Sequence, residues 1–376
     1  MNKILILTGR YLPGYKDGGP VRSILNLSEW LGDEYDIRIM CHDRDHGDTE
    51  RYPDIKVNDW NQVGKAKVWY TESFNARDIA KLADDADLVY SCGPYNDYAI
   101  AAMRLKKNGR IKAPLVVASM GSFSPDAFKI KGKKKELFVK IMKILGMFKK
   151  ITWSVTSSRE EEELKAIIGD DAKCIIASDL ARKGLGEHTH VKEDDSLKII
   201  FLSRISRKKN LVVVPEILSK VDAKYNIAID VYGIAEDQDY LEECLKEFRK
   251  LPANIKWEYK GEIDSEGVPA IFSEYDVFLF PTLGENYGHV IAESLGAGCL
   301  PVISDRTPWL DLFENSCGYV CSLEDLSTFS KSIDKLAATN GEEFDLLIRN
   351  SFNYIENKKI KDVEESGYRT IFNLDF

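Results

Sequence analysis

Two glutamates eight positions apart, Glu285 and Glu293, are the first residues whose types and spacing could do chemistry. They lie in PTLGENYGHVIAESLGAG at residues 281–298, where glycines surround them and apolar runs flank the stretch. The run DVFLFPT at 276–282 predicts a buried strand, and HVIAESLGAG predicts a helix that ends at glycine. The turn between strand and helix would therefore present backbone N–H groups at a helix start.

Backbone N–H groups at a helix N-terminus form a site for anions. The expected donors in this turn are Asn286, Tyr287, Gly288 and His289. Gly288 would let a phosphate approach the backbone closely. Glu293 lies about 140° around the helix from Gly288, at ~100° per residue, and can accept hydrogen bonds from two neighbouring hydroxyls, such as those of a ribose. These features predict a site for a nucleotide that carries a sugar.

The basic segment FLSRISRKKNL at 201–211 supplies cations for a diphosphate. Arg204 ends a predicted strand, and Lys209 follows five positions later, so both fall near the carboxyl end of that strand. A diphosphate leaving group gains charge as its bond to the sugar breaks, and preorganised cations stabilise that charge. Because the chain has a net charge of -9, an anionic ligand requires such locally concentrated positive potential.

Short apolar runs separated by helix-like stretches predict the scaffold that positions these residues. Such alternation is typical of parallel sheets covered on both faces. The polar stretch at 181–196 is the best linker candidate, and it divides the 376 residues into domains at 1–183 and 184–376. We predict an α/β chain of two Rossmann-like domains facing each other across a cleft. The apolar runs lie at 3–9, 35–41, 66–70, 87–93, 114–121, 151–158, 173–179, 197–204, 227–233, 255–261, 276–282, 299–305 and 318–322.

The second half of the chain resembles the retaining GT-B-fold glycosyltransferases of glycosyltransferase family 4, also called glycosyl transferases group 1. The resemblance covers about residues 197–312 and rests on GENYGHVIAESLGAG, PVISDRTPW and SRISRKKN. It implies an acceptor-binding N-terminal domain and a C-terminal domain that binds a nucleotide sugar, with the last helix able to cross back. More loosely, YLPGYKDGGPVRSILNL is similar to the family's glycine-rich loop, which would place the amides of Gly18 and Gly19 against the donor.

The resemblance also implies a role for each candidate residue. Arg204 and Lys209 would neutralise the diphosphate, and Glu293 would hold the ribose hydroxyls. Glu285 would support the positive charge of an oxocarbenium-like transition state. Transfer would retain the anomeric configuration and need neither a metal nor a cofactor. In one departure from the family, Met120 stands where many relatives have histidine, and in another IIASDLARKG replaces a common proline–asparagine–glycine turn.

We therefore expect a hexosyltransferase that moves a sugar from a nucleotide-diphosphate sugar to a glycan or a lipid-linked acceptor. The resemblance favours a UDP-sugar donor and a role in bacterial surface polysaccharide synthesis, of O-antigen or capsule. One alternative is a nucleotide-sugar epimerase on the same scaffold, which would need acid/base residues at the sugar carbon. Another is a non-catalytic subunit that binds sugar nucleotides. The net charge of -9 argues against a nucleic-acid partner.

Three further features bear on metals and redox state. HDRDHGD at 42–48 could hold a metal if it were helical, but it follows a strand and ends near glycine, which favours a solvated loop. Asp237 and Asp239 fit the start of an amphipathic helix better than a metal site. The seven scattered cysteines indicate buried thiols in a reducing compartment.

The segment KIKGKKKELFVKIMKILGMFKK at 129–150 has nine lysines and one acid, a local charge of about +8. If it is helical, one face would carry Leu137, Phe138, Ile141, Ile144, Leu145 and Phe148. Such a helix can lie on an anionic membrane surface, or it can face the core with a solvated basic rim. The candidate membrane contacts are Lys133, Lys134, Lys135, Phe138 and Ile141.

Neither a transmembrane helix nor a signal peptide is predicted. No run approaches ~18 unbroken apolar residues, and the apolar run near the N-terminus is too short for a signal sequence. We therefore expect a cytoplasmic protein, peripheral on the inner face of the cell membrane if the basic helix binds lipid.

Overall fold

The computed structural model describes residues 1–124, 132–184, 186, 188–264 and 267–374, with only the backbone at 132 and 133. These residues form two compact units. The first comprises Met1–Leu180 and the described residues from Lys361 onward, and the second comprises Ala181–Ile360. The sequence-based boundary lies at 183/184, three residues beyond the end of the first stretch of unit one.

An eight-stranded sheet forms the centre of the first unit. Its strands are β1 Lys3–Leu7, β2 Asp36–His42, β3 Trp60–Val63, β4 Ala66–Thr71, β5 Leu88–Cys92, β6 Leu115–Ala118, β7 Thr152–Val155 and β8 Cys174–Ile176. Their order is β3-β4-β2-β1-β5-β6-β7-β8, and only β3 is antiparallel to its neighbour. The order reverses between β1 and β5, the feature that creates a ligand crevice in doubly wound sheets.

A six-stranded parallel sheet forms the centre of the second unit. Its strands are β9 Ser196–Leu202, β10 Asn226–Tyr232, β11 Ile255–Gly261, β12 Val277–Phe280, β13 Leu300–Ser304 and β14 Tyr319–Cys321. The order β11-β10-β9-β12-β13-β14 is the 3-2-1-4-5-6 order of a Rossmann fold. Strands β12 and β13 are buried along their whole length, because helices cover both faces of the sheet. The strand order reverses between β9 and β12.

Helices connect the strands and cover the sheets. In the described chain they are α1 Gly19–Leu31, α2 Ala76–Ala83, α3 Asp97–Lys107, α4 Gly132–Ile144, α5 Ser158–Ile168, α6 Val214–Ser219, α7 Gln238–Phe248, α8 Val268–Phe272, α9 His289–Gly296, α10 Ser327–Ala338, α11 Gly341–Glu364 and α12 Gly367–Phe372. Most of α11 belongs to the second unit, and its last residues are counted with the first. Helix α12 packs on the first sheet through Tyr368, Ile371 and Phe372.

The structure confirms the predicted α/β class with two Rossmann-like, parallel-sheet domains. Each of the thirteen apolar runs overlaps one strand, to within one residue at the strand ends. Strand β3, with the sequence WNQV, was missed because it is short, partly polar and lies at the sheet edge. Its Trp60 ring packs edge-on against Trp69 of β4 at 5.5 Å, a cross-strand contact that an apolar-run search does not detect.

Burial governs the reactivity of the cysteine thiols. The cysteines are free, and all but Cys174 are buried, as predicted. Burial raises the pKa of Cys92 and of Cys317 to about 12, which keeps both thiols protonated and unreactive at neutral pH. Among the described residues, no helix is both long enough and apolar enough to cross a bilayer.

Candidate functional site

The carboxyl ends of β9 and β12 bring Lys209 and Glu285 into contact. Lys209 ends the first 3-10 turn after β9, Arg207–Lys209, and Glu285 lies in the loop after β12. Lys209 Nζ donates to Glu285 Oε1 over 2.6 Å, and the two side chains are only 15% and 11% exposed. The strand order reverses between these two strands, so the ion pair lies where doubly wound sheets bind ligands.

Hydrogen bonds fix the loop that carries Glu285. Thr282 Oγ1 donates to Glu285 Oε1 over 2.9 Å. The backbone N–H of Glu285 donates to the carbonyl of Arg306 over 3.1 Å, and the N–H of Leu283 donates to the carbonyl of Lys208 over 2.9 Å. The loop is thus tied to the segments after β9 and after β13. This support holds the carboxylate in one orientation, as a preorganised site requires.

The ammonium group of Lys209 also lies over an aromatic ring. Its Nζ is 5.4 Å from the ring centroid of Phe280, which is fully buried. A cation between a carboxylate and an aromatic face is partly shielded from water. Its electrostatic interactions are therefore stronger than those of a lysine on the open surface.

Arg204 engages a different partner from Lys209. Its guanidinium contacts the carboxylate of Glu236, which follows β10 on the other side of β9. The two side chains are 46% and 41% exposed, so this is a surface ion pair of small energetic value. Both predicted cations therefore follow the same strand, but they pair with different acids. Lys209 pairs with Glu285, and Arg204 pairs with Glu236.

The turn and helix after β12 form as the sequence predicts. Gly288 caps α9 with φ of 83°, a left-handed conformation that favours glycine. A side chain there would also bring its Cβ to 2.9 Å from Ile291 Cδ1. Helix α9 begins at His289, and the N–H of Ile291 donates back to the Gly288 carbonyl over 2.8 Å. The first-turn amides that could receive an anion therefore belong to Gly288 and the residues directly after it.

The side chains around this turn have separate positions. Asn286 is exposed, whereas Tyr287 is buried, with its ring 4.9 Å from that of His289 and 5.4 Å from that of Trp309. Trp309 Nε1 donates to the Tyr287 carbonyl. Tyr287 thus helps to hold the turn through packing. Trp309 is a supporting residue that sequence reasoning did not single out, although it lies in the PVISDRTPW motif.

Glu293 lines a cavity of about 190 Å³ within the second unit. The cavity wall also contains Arg182 and Lys359, and Glu285 is not among its lining residues. Lys359 Nζ donates to the Gly184 carbonyl, and burial lowers the pKa of Lys359 to about 8. The two predicted acids therefore have different surroundings, and Glu293 lies beside basic side chains. Among the described residues, the lining comprises Arg182, Lys183, Gly184, Gly186, Pro269, Ala292, Glu293, Gly296 and Lys359.

In the first unit, Gly18 lies between β1 and α1, and Gly19 is the first residue of α1. Gly18 precedes the helix with φ of 63°, and Pro20 occupies its first turn. The N–H of Arg22 donates to the Gly18 carbonyl over 3.1 Å. The predicted strand–loop–helix arrangement is thus present, and its loop follows the strand at which the order of the first sheet reverses.

A single carboxylate fixes the turn that carries Met120. Met120 and Gly121 follow β6 with φ of 49° and 69°. Glu160 is buried and accepts hydrogen bonds from Ser119 Oγ, from the Gly121 N–H, and from both the N–H and the Oγ1 of Thr156. Glu160, which lies on α5, therefore stabilises the left-handed backbone at Met120.

Replacing Glu160 with alanine should lower the free energy of unfolding by about 3 kcal/mol, because several buried donors lose their acceptor at ~1 kcal/mol or more each. Chemical denaturation of the full chain measures this. The matched control is Glu162→Ala, which removes an exposed carboxylate from the same helix. If the two variants are equally stable, Glu160 does not hold the turn.

Two acids of the 42–48 segment are buried, so its interpretation as a solvated loop was wrong for them. Asp43 pairs with Arg51 over 2.7 Å, and Asp45 accepts from the N–H of Tyr15 over 2.8 Å. These partners make burial of the carboxylates possible.

Asp237 caps α7 by accepting from the Tyr240 N–H, which confirms its role at a helix start. Within the described ranges, no group of three potential ligands could hold a metal ion.

Helix α4 corrects part of the predicted membrane-contact set. Phe138 packs on the core of the first unit, with its ring 5.3 Å from that of Tyr95. Lys135 Nζ lies over the same Tyr95 ring at 5.4 Å. Phe148 also packs on this core, so neither phenylalanine belongs to the outer face. The Lys133 side chain lies outside the described part of the structure.

Lys134 and Ile141 are exposed, as a surface contact requires.

One family model and several solved structures indicate the class of protein. The chain has the two-domain architecture of the GT-B glycosyltransferases, and residues 187–352 match the family Glycosyl transferases group 1. This matched region contains Arg204, Lys209, Glu285 and Glu293. The match spans less than half of the chain.

Solved GT-B structures are similar over nearly the entire chain. Anabaena HepE in complex with UDP and glucose has a TM-score of 0.70 at 13% identity, covering 100% of both chains. Sucrose-phosphate synthase from Thermosynechococcus elongatus has a TM-score of 0.69 at 13% identity, covering 99% of both. A UDP-forming α,α-trehalose-phosphate synthase from Burkholderia vietnamiensis has a TM-score of 0.64 at 10% identity, covering 100% of both. At these identities the similarity establishes the fold.

A sequence relative comes from Methanocaldococcus jannaschii. It is an uncharacterized glycosyltransferase, 24% identical over 112 residues. The match covers 30% of this chain and 28% of that protein. It supports the same class for part of the chain.

Proposed function

We propose that this chain is a retaining, hexosyltransferase-type glycosyltransferase that uses a nucleotide-diphosphate sugar. The observation that carries the proposal is the Lys209–Glu285 ion pair at the point where the second sheet reverses its strand order. The pair lies inside the group 1 region. The HepE structure contains UDP and glucose, which favours a UDP-sugar as the donor.

The diphosphate of the donor would lie against Lys209 and the first turn of α9. In this arrangement the ammonium group of Lys209 donates one hydrogen bond to Glu285 and another to a phosphate oxygen. Arg204 can leave its weak surface pair with Glu236 to contact the other phosphate. The cations and the helix N-terminus then stabilise the charge that develops on the leaving group. Because they supply this charge, we propose that transfer requires neither metal nor cofactor.

Glu285 would act on the sugar. Its carboxylate is held beside the diphosphate position by Thr282 and Lys209. A negative charge there favours the positive charge that spreads over the sugar ring as the glycosidic bond breaks. The acceptor hydroxyl would attack from the face that the nucleotide leaves and pass its proton to the departing phosphate oxygen, which retains the anomeric configuration.

Glu293 would bind the ribose hydroxyls in its cavity. Glu293→Gln should weaken UDP binding about tenfold, because a hydrogen bond to a charged acceptor contributes ~1.5 kcal/mol or more. Isothermal titration with UDP measures the affinity, and thermal unfolding checks the fold. Glu216→Gln, at an exposed acid on α6, is the control. An unchanged affinity for UDP in Glu293→Gln would refute the ribose role.

The acceptor is proposed to be a glycan or a lipid-linked saccharide of bacterial surface polysaccharide synthesis, assembled on the cytoplasmic side. A direct test incubates the full chain with a panel of nucleotide sugars, with and without a bacterial lipid extract, in the presence and absence of EDTA. A transferase releases nucleotide rapidly only when an acceptor is present. An epimerase would convert the sugar without releasing nucleotide, and a binding subunit would do neither.

A further inference from the structure

Helix α4 presents an apolar stripe on its outer face. Leu137, Ile141, Ile144 and Leu145 are 59%, 47%, 84% and 48% exposed. They are four of the twelve large hydrophobic side chains that are exposed in the described chain, and they lie within nine residues. At ~100° per residue, the three within the helix span about 60° of its circumference, so they form one ridge. A contiguous exposed apolar patch marks an interaction surface.

The stripe is not needed to hold the helix on its own unit. The opposite side of α4 is buried through Val139 and Met142, each 4% exposed, and Met147 follows in the same core. These three residues supply the apolar face that an ordinary surface helix requires. The outer stripe is a second apolar face, so it is available for a partner.

Exposed lysines surround this stripe. Lys134 and Lys140 lie about 60° to either side of Leu137 around the helix axis. Glu136 is the acid of this stretch, and the net charge of the whole chain is -9. The local excess of positive charge therefore stands out from the rest of the protein. The exposed lysines of the segment are Lys134, Lys140, Lys143, Lys149 and Lys150.

We propose that this face of α4 docks on the surface of an anionic lipid bilayer, with the helix axis in the plane of the interface. An anionic bilayer binds helices that carry apolar side chains between rows of lysine. The apolar side chains insert at the boundary of the acyl chains, and the ammonium groups contact the lipid phosphates. A symmetric contact with a second copy would instead place each lysine row against like charge. The proposal does not depend on the donor chemistry proposed above.

The test is co-sedimentation of the full chain with vesicles of phosphatidylcholine, with or without phosphatidylglycerol. We expect binding only to the anionic vesicles. Ile144→Glu should weaken it by more than tenfold. Lys134→Gln with Lys140→Gln should weaken it about 25-fold, since each basic residue contributes about fivefold, or ~1 kcal/mol. Leu310→Glu, which adds the same charge at an exposed leucine of the second unit, should leave binding unchanged.

Failure of the wild-type chain to bind anionic vesicles overturns the proposal, as does equal binding by the Ile144→Glu variant. Light scattering provides a further outcome. A dimer that Ile144→Glu dissociates would assign the stripe to self-association instead. The affinity of Ile144→Glu for UDP, measured without vesicles, should equal that of the wild type. This measurement separates an error in the proposed donor site from an error in the proposed membrane contact.

Discussion

Lys209→Ala should lower turnover about a hundredfold, which corresponds to ~3 kcal/mol of lost transition-state stabilisation. Lys209 Nζ lies between the Glu285 carboxylate and the face of Phe280, largely out of water. A leaving diphosphate gains its charge next to this cation, so the loss should appear in kcat at saturating donor. Nucleotide release in the presence of acceptor measures it.

The same substitution leaves Glu285 without its cation, so stability must be measured separately. Thermal unfolding of Lys209→Ala reports any loss of folded protein at the assay temperature. Lys208→Ala is the matched control, because it removes an exposed lysine from the same turn. Unchanged turnover in Lys209→Ala, or an equal decrease in Lys208→Ala, would contradict the assignment of Lys209 to the leaving group.

The proximity of Lys209 and Glu285, which are 76 positions apart in the chain, could be anticipated in part from the sequence, because strand topology matters more than sequence separation. Both residues follow apolar runs that predict parallel strands, and the carboxyl ends of such strands lie at the same edge of the sheet. What the sequence could not provide was which strands are neighbours. The order of the second sheet places β10 on one side of β9 and β12 on the other. That order explains why Arg204 pairs with Glu236 while Lys209 pairs with Glu285.

Helix α4 shows a different limit of sequence reasoning. Its apolar residues occupy most of the circumference, so a periodicity of 3.6 cannot decide which side faces the core. The sequence analysis assigned Phe138 and Ile141 to the same apolar face. In the structure Phe138 packs against Tyr95, and Ile141 is exposed.

The burial of Asp43 was missed for a related reason. Its pairing with Arg51 depends on how a loop folds, and spacing alone does not determine this.

Glu285→Gln should lower turnover by roughly a hundred- to a thousandfold, the usual loss when one preorganised electrostatic group is removed from an active site. Glutamine keeps the size of the side chain and can still accept from Thr282, so the change removes mainly the charge. The affinity for UDP should change much less, because the proposed role lies with the sugar. Glu324→Gln, at an exposed acid of the same unit, should retain full turnover.

A double variant, Lys209→Ala with Glu285→Gln, separates a catalytic pair from a structural one. In a purely structural ion pair, each single substitution leaves the other charge buried and unpaired, and removing both relieves that penalty. The double variant would then recover stability and turnover together. If Lys209 acts on the diphosphate and Glu285 on the sugar, stability can recover, but turnover must stay at or below that of the less active single variant. Recovery of turnover would therefore reject the proposed roles of both residues, whereas recovery of stability alone supports them.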